Sequence, residues 1–349
     1  MLRPAHPVVG EGGEDVAVAR GGVAVAAVED AGQLAIEGGK AGELGADVRA
    51  LRLDDAVGRA RPGNGKVLLR RARKWLDPLV AREITEAADV QRSQGPTMTD
   101  LLRPTPLLDY DHPSIYALIA ARGWANLPPF ERIGAAYDFV RDEVAFGYNR
   151  DDAIPASAVL ADGYGQCNTK ATLLMALLRA LEIPCRLHGF TIHKALQRGV
   201  VPEVAYRIAP EEILHSWVEV EWEDRWVNLE GFILDAAFLR ALQRTFAGRS
   251  SLCAYGAGTD CLQAPDVAWS GGDTYIQRTG IARDLGLYDD PDAFYAEHRQ
   301  SFGLVRGLLY RHAIRHWMNR RVVAIRGGRV PAIPESAPFA RDELEDAQG

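Results

Sequence analysis

Between Cys167 and Pro184 the chain has little choice but to form a buried helix, and the residue that opens it is a cysteine. Leu173, Leu177 and Leu181 recur at every fourth position, Leu174 and Leu178 fill the adjacent row, and Pro184 ends the pattern. Gly163–Gln166 reads as the turn that delivers the chain to this helix, and Asn168 and Thr169 suit its first turn or cap. Unpaired N–H groups and the dipole at a helix N-terminus favour an anion there, so a thiol at Cys167 is placed to act as a thiolate nucleophile. The same N–H groups can donate to a carbonyl oxygen as it becomes an oxyanion. Gly163 and Gly165 allow close backbone approach of a substrate. A lone cysteine is more often a small buried hydrophobe, and that is the reading for Cys185. Cys253 and Cys261, in a loop containing Gly, Thr and Asp, carry no assigned role.

A second constraint lies downstream. Leu214–Trp222 alternates His215, Trp217, Glu219 and Glu221 against Ser216, Val218, Val220 and Trp222, and Arg225–Phe232 alternates in the same way. Glu223-Asp224 between them reads as a tight turn, which predicts a β-hairpin. A two-residue loop sets Trp217 opposite Glu230 and His215 diagonal to Glu230 on one face, a separation of roughly 7–8 Å between backbones that Glu and imidazole side chains span. A carboxylate there would orient the ring and stabilise an imidazolium paired with the thiolate. Asn228 is the second candidate for that role and Asp235 the third. Taken alone, His215 would read as a half-buried strand histidine. His188 and His193 lack partners at ligand spacing, and His312 and His316 sit among arginines whose charge repels a cation, so no metal site is expected.

The totals narrow the function classes. Net charge is −7 and spread along the chain, which gives no electrostatic case for nucleic acid. Four cysteines without a C-x-x-C pair exclude a disulfide-stapled scaffold and a ribbon zinc site, and fit a reducing compartment; cytoplasmic is the expectation. Val23–Val28, the longest early apolar run, is too short to span a membrane and follows acidic residues, unlike a signal peptide. Oligomeric state is not readable.

Residues 1–100 differ in texture. Trp75 is their only aromatic, and a stretch so poor in large side chains struggles to offset chain entropy. It reads as a disordered or loosely docked extension, with short helices expected around Ala46–Val57 and within Val67–Val90, and with Met98 as an alternative start. Arg61–Val67, "RPGNGKV", lacks the first Gly and the Ser or Thr of a phosphate loop and reads as a turn. From Arg103 the chain turns globular. Helices are expected near Ser114–Arg122, over Phe130–Val144 with Ile133, Tyr137, Val140 and Val144 on one stripe, around Val159 and Leu160, and over Ala236–Phe246. Residues 246–330 read as a helical extension packed on the core. It begins with an irregular Gly-rich stretch whose Trp269 and Tyr275 could wall a cleft. A long helix follows from about Pro291 to Val323, its arginines snorkelling from an apolar face that includes Phe302, Val305, Leu309 and Ile314. The tail, 331–349, reads as disordered.

Taken together, "GYGQCNTKATLLMALLRALEIPCR" and "HSWVEVEWEDRWVNLEGF" resemble the transglutaminase-like superfamily. The matching positions are Gly165, Cys167, Leu177 to Arg186, His215, Trp217, Trp226 and Glu230, and "YDFVRDEVAFGY" resembles the helix entering that domain. The chain departs from the pattern in carrying Glu230 where the family usually has Asp, Glu182 where it has Gly, and Cys185 where it has a small residue. It also lacks the calcium loop and extra β domains of the mammalian branch. The resemblance implies an α+β, papain-like catalytic domain over 103–245, with the cysteine helix on an antiparallel sheet. It implies a Cys167–His215–Glu230 triad without cofactor, with Gln166, Tyr164 and Trp217 as candidate substrate or oxyanion contacts. The chemistry implied is acyl transfer at a peptide or protein amide through a thioester, to water or to an amine. The alternative is a domain that keeps this architecture as a binding scaffold without turnover.

Overall fold

A computed structural model describes residues 15–18, 24–28, 34–38, 49–52, 100–298, 307 and 309–333. The chain divides into two compact units, Met1–Ser93 and Gln94–Gly349. The described part of the first consists of strands β1 (Asp15–Val18), β2 (Ala24–Val28), β3 (Leu34–Gly38) and β4 (Arg49–Arg52), with β1 antiparallel to β4 and β2 antiparallel to β3. The helix expected around Ala46–Val57 is therefore a strand at its centre. Four residues of alternating texture fit either period, and pairing with β1 decides for the strand. The helices expected within Val67–Val90 and the "RPGNGKV" turn lie outside the described residues, as does the tail from 334 onward.

In the second unit the helical stripes fold as their spacing dictates. Helix α1 (Pro113–Arg122) starts with proline and stops at Gly123, whose φ of 67° glycine adopts without the cost a Cβ brings. Helix α2 (Pro129–Asp138) runs into a widened turn, Phe139–Glu143, and Ile133, Tyr137, Val140 and Val144 are all buried. That i→i+5 turn leaves the Arg141 carbonyl free of the regular ladder, and it accepts from Lys170 Nζ at 3.2 Å. Two-residue strand β5 (Ala145–Phe146), helix α3 (Ala156–Asp162) and strand β6 (Tyr164–Gly165) follow, with β5 parallel to β6.

Helix α4 (Cys167–Ala180) is the centre of the unit, buried at every position from Cys167 to Arg179. Its apolar rows pack on a four-stranded antiparallel sheet of order β12-β7-β8-β9, formed by β7 (Cys185–His193), β8 (Glu212–Trp222), β9 (Arg225–Leu229) and β12 (Ile281–Tyr288). Burying each of its leucines stabilises the fold by roughly 1.5–3 kcal/mol. Cys185 is buried and contacts the Met175 carbonyl and the Arg179 side chain, in keeping with a structural cysteine.

The exit of α4 contains a local strain. Ile183 N–H donates to Leu178 O at 2.9 Å and Glu182 N–H to Arg179 O at 3.0 Å, a C-terminal motif that puts Glu182 at φ 61°. The left-handed region costs a residue with a Cβ on the order of 1 kcal/mol. Glu182→Gly is expected to raise the midpoint of thermal unfolding by about 2–4 °C. A melt that stays level or falls would mean that the exposed Glu182 side chain compensates for its backbone.

The hairpin follows the two-residue turn. Glu223 and Asp224 have φ of 51° and 61°, the mirror-image turn whose twist matches paired strands, and the register runs from Trp222↔Arg225 to Val218↔Leu229. Continued one step, it sets Trp217 across from Glu230.

Helix α5 (Glu203–Ile208) lies between β7 and β8, and beyond the hairpin come helices α6 (Ala236–Thr245), α7 (Pro291–Glu297) and α8 (Arg315–Arg326), with a short β10–β11 pair (Leu252–Ala254, Ala257–Thr259). Two expectations fail here. The long helix over Pro291–Val323 is interrupted, because His298 is extended at φ −119°, ψ 121° and caps α7. The stretch read as irregular also supplies β12, an edge strand against β7. Register shifts at Ile281/Arg283 and Asp284/Gly286 break its alternation, which hides it from a period-two reading. Helix α8 does present an apolar side inward, through Met318, Val322 and Ile325.

Candidate active site

Cys167 is the first residue of α4 and only 7% exposed. Four features hold it. Gln166 precedes the helix in extended conformation, and its N–H donates to Thr169 Oγ1 at 3.1 Å, a reciprocal cap. Gly165 leaves no room for a side chain: a Cβ would lie 2.7 Å from Thr169 Oγ1 and 2.9 Å from Lys170 Cγ. Lys170, fully buried one turn on, donates to Ile233 O at 3.0 Å and ties the helix to the segment after β9. Burial pushes its amine down to about 7, a drop that the charges of Asp235 and Asp142 resist. Asn168 spans to β8, donating from Nδ2 to Leu214 O at 3.1 Å and accepting at Oδ1 from Ser216 Oγ at 3.0 Å.

Those last two bonds grip the residues on either side of His215. Its ring is wholly buried, with Nε2 3.0 Å from Glu230 Oε1. An ionised carboxylate only accepts, so Nε2 carries the proton of that bond. Nδ1 has no nitrogen or oxygen partner among the described residues and is the nitrogen left to meet the Cys167 thiol, which contributes to the ring's electrostatics. Burial is the largest single influence on the ring and opposes its charge. The Cys167 sulfur and the Glu230 carboxylate together outweigh burial and push the imidazole up to about 10.

Glu230 is itself over-determined. Its other oxygen, Oε2, accepts from the backbone N–H groups of Ile276 and Gln277, each at 2.8 Å, and its own N–H donates to Thr274 O at 3.0 Å. Sequence reasoning missed these donors, since a backbone N–H leaves no mark in residue identity. The other two orienter candidates are occupied elsewhere. Asn228 bonds Trp217 Nε1 at 3.1 Å and the Tyr275 hydroxyl at 2.8 Å, and Asp235 caps α6 and pairs with Arg326 at 2.6 Å.

A cavity of about 460 Å³ opens over Cys167, with Gln166 and Asn168 beside it in the wall. Of the three candidate substrate contacts, Gln166 alone lines it. Its amide is already engaged, Nε2 donating to Asp152 at 2.6 Å and Oε1 accepting from Asn149 N–H at 3.1 Å. Trp217 stacks 4.0 Å from Phe190 on the sheet, and Tyr164 packs by Gly147. Trp269 and Tyr275 do not wall this cavity. Trp269 rests on Phe130 and Trp222, and Tyr275 lies 5.7 Å from Trp217.

Asn168→Ala should loosen the link between α4 and β8 and leave the Leu214 carbonyl and Ser216 hydroxyl without their partner, at a cost of about 1–3 kcal/mol. The expected result is a lower melting midpoint together with slower alkylation of Cys167. An unchanged alkylation rate in a destabilised variant would limit Asn168 to fold support.

A family model described as the transglutaminase-like superfamily matches residues 120–231, a segment that holds Cys167, His215 and Glu230. Among solved structures, a proposed cysteine protease from Cytophaga hutchinsonii is similar at 14% identity and a TM-score of 0.33, over 56% of this chain and 48% of that one. The chain thus spans about half the length of that structure. No curated protein matches. The segment 120–231 thus matches the transglutaminase-like family model, and its cysteine-led helix packs on an antiparallel sheet in an α+β fold.

Proposed function

We propose that this domain catalyses cysteine-dependent acyl transfer at an amide bond through a thioester, with Cys167 as nucleophile, His215 as base and acid, and Glu230 as orienter. The observation that carries the reading is buried His215, which interacts with the Cys167 thiol and has a carboxylate 3.0 Å from its Nε2, with a cavity opening over Cys167. A binding scaffold has no physical need of all three groups in that order.

In this reading His215 Nδ1 takes the thiol proton, and the sulfur attacks the amide carbonyl carbon. The oxygen, now negative, meets N–H groups of the first turn of α4, which have no partner within the helix. Because the Gln166 side-chain amide is engaged by Asp152, the backbone is the better donor. Collapse breaks the C–N bond, and the amine leaves with the proton held on Nδ1. Water or an amine then gives its proton to Nδ1 and attacks the thioester, the acyl group departs, and the thiolate is restored. Peptide or protein amides are the substrate class.

The test is to incubate the full chain with a pool of peptides and read both covalent acyl adducts at Cys167 and released amine by mass spectrometry. Adducts that hydroxylamine cleaves, absent in Cys167→Ala, are the expected outcome. Amide turnover that persists in Cys167→Ala, or a complete absence of adduct and product across the pool, would overturn the reading.

A further inference from the structure

The cavity over Cys167 has an uneven wall. Val201, Ile208, Ile213, Leu309, Ile314 and Met318 make most of it apolar, and of the two carboxylates that line it, Asp151 is paired with Arg311 while Asp152 has no ion-pair partner among the described residues. Its hydrogen bonds come from neutral amides: Gln166 Nε2 donates to Oδ1 at 2.6 Å, and Asn168 lies close enough to contribute. The nearby charges are spent or outward. Arg311 pairs with Asp151 at 2.7 Å at the rim, where both are about half exposed, and Arg150 is exposed. Tyr148, Tyr295 and Tyr310 line the same space. Tyrosine rings attract cations across their faces, and an anion in an apolar wall does so more strongly than it would in water.

A carboxylate in such a setting is costly unless a counter-charge arrives. Burial, opposed in part by the Gln166 bond, pushes Asp152 up to about 6, so it still bears its charge at neutral pH. Gln166, the residue before Cys167, holds it, and Asp152 and Cys167 line the same cavity, which sets the negative charge in the space over the reacting sulfur rather than at a remote subsite.

We propose that the Asp152 carboxylate and the tyrosine-lined cavity form a subsite for an ammonium or guanidinium group, making the substrate of Cys167 a cationic amide or a protonated amine acceptor. The assignment rests on the reading of Cys167 as the reactive thiol. The shared chemistry is a positive charge within reach of the sulfur. It could belong to the acyl donor, as a lysine or arginine side chain, or to the incoming amine.

Charged thiol reagents test the subsite without a known substrate. Rates of modification at Cys167 are read by peptide mass spectrometry with 2-aminoethyl, methyl and 2-sulfonatoethyl methanethiosulfonate, in the wild-type chain, Asp152→Asn and Asp152→Glu, at pH 8. After normalisation to a small free thiol, the cation-to-anion rate ratio should be on the order of tenfold in the wild type. It should fall about fivefold or more in Asp152→Asn and recover in Asp152→Glu. In the wild type it should also decline as pH drops below about 6, where the carboxyl takes up its proton. A ratio that Asp152→Asn leaves unchanged sinks the proposal. The neutral reagent separates the two ideas: fast, His215-dependent methylthiolation with a flat charge ratio removes the subsite and keeps the reactive thiol. Slow methylthiolation indifferent to His215 removes the catalytic reading. Protection of Cys167 by n-butylammonium assigns the charge to the acceptor, protection by Nα-acetyl-lysine methylamide assigns it to the acyl donor, and protection by neither overturns the subsite.

Discussion

Alkylation of Cys167 by iodoacetamide at pH 7 is expected to slow by a factor on the order of 30 when His215 is replaced by alanine, since an ordinary cysteine is only a few per cent thiolate at that pH. The argument runs from the geometry of the ring. His215 is held by Glu230 on one nitrogen and offers the other to the thiol, and the Cys167 sulfur and the Glu230 carboxylate push its imidazole up to about 10 despite burial. Across the neutral range the imidazolium is therefore available as counter-ion to the sulfur. Removing it leaves the thiol with the helix terminus alone, whose effect is of order 1 kcal/mol or less at an exposed site and up to ~2 when partly buried. Amide turnover should drop further than labelling, by about a thousandfold or more, because the same ring delivers the proton to the leaving amine. Cys167→Ser should abolish both at this position, and the three other cysteines provide an internal reference. If labelling rises only above about pH 8.5 and does so equally with and without His215, the cysteine is structural and the acyl-transfer proposal fails.

The parts of this architecture that could be read from the sequence are those in which residue type and spacing carry the physics directly. The leucine rows of α4, the alternation of β8 and the residues of a two-residue turn each have one economical fold, and together they set the His215–Glu230 diagonal before any coordinates. The strand β12 was hidden because two register shifts spoil its alternation, and the break after α7 because the arginine-rich stripe continues through it. The support of Glu230 by Ile276 and Gln277 was hidden for a different reason. Those residues act through their backbones, some 46 positions away in sequence, and any residue but proline would serve. Asn168 shows an intermediate case: its type suits a helix start, yet its side chain bridges two elements instead of capping its own. Asp152 carried no signal at all, since a carboxylate in an Asn-, Asp- and Pro-rich loop reads as solvated until the cavity is seen around it.

The second large effect concerns the orienting acid. Glu230→Gln keeps the shape of the side chain and changes only what it can accept. The site of Oε2 faces two backbone N–H donors at 2.8 Å, so the amide oxygen must take that position to leave neither donor unpaired. The amide nitrogen is then forced to the position of Oε1, 3.0 Å from His215 Nε2, where it too is a donor. His215 can accept from it only as a neutral ring with its proton on Nδ1, the tautomer that cannot take the thiol proton. A comparable swap of an orienting aspartate in a serine protease lowers kcat by about ten-thousandfold, and a loss of about a hundred- to ten-thousandfold in kcat/KM is expected here. The pH profile distinguishes this from simple unfolding. In the wild type the imidazolium is the acid, protonated below and deprotonated above about 10, so activity should fail on the alkaline side near that value. Without the carboxylate one of the influences raising His215 is gone, and the alkaline limb should move to lower pH in Glu230→Gln. Glu230→Asp, the residue usual in the family this domain resembles, is shorter by one methylene and cannot keep both its backbone donors and the ring at these distances. It should retain the tautomer and recover part of the rate. An alkaline limb that stays in place in Glu230→Gln, with the rate little changed, would remove Glu230 from the mechanism and leave it as a brace between β9 and the segment at Ile276.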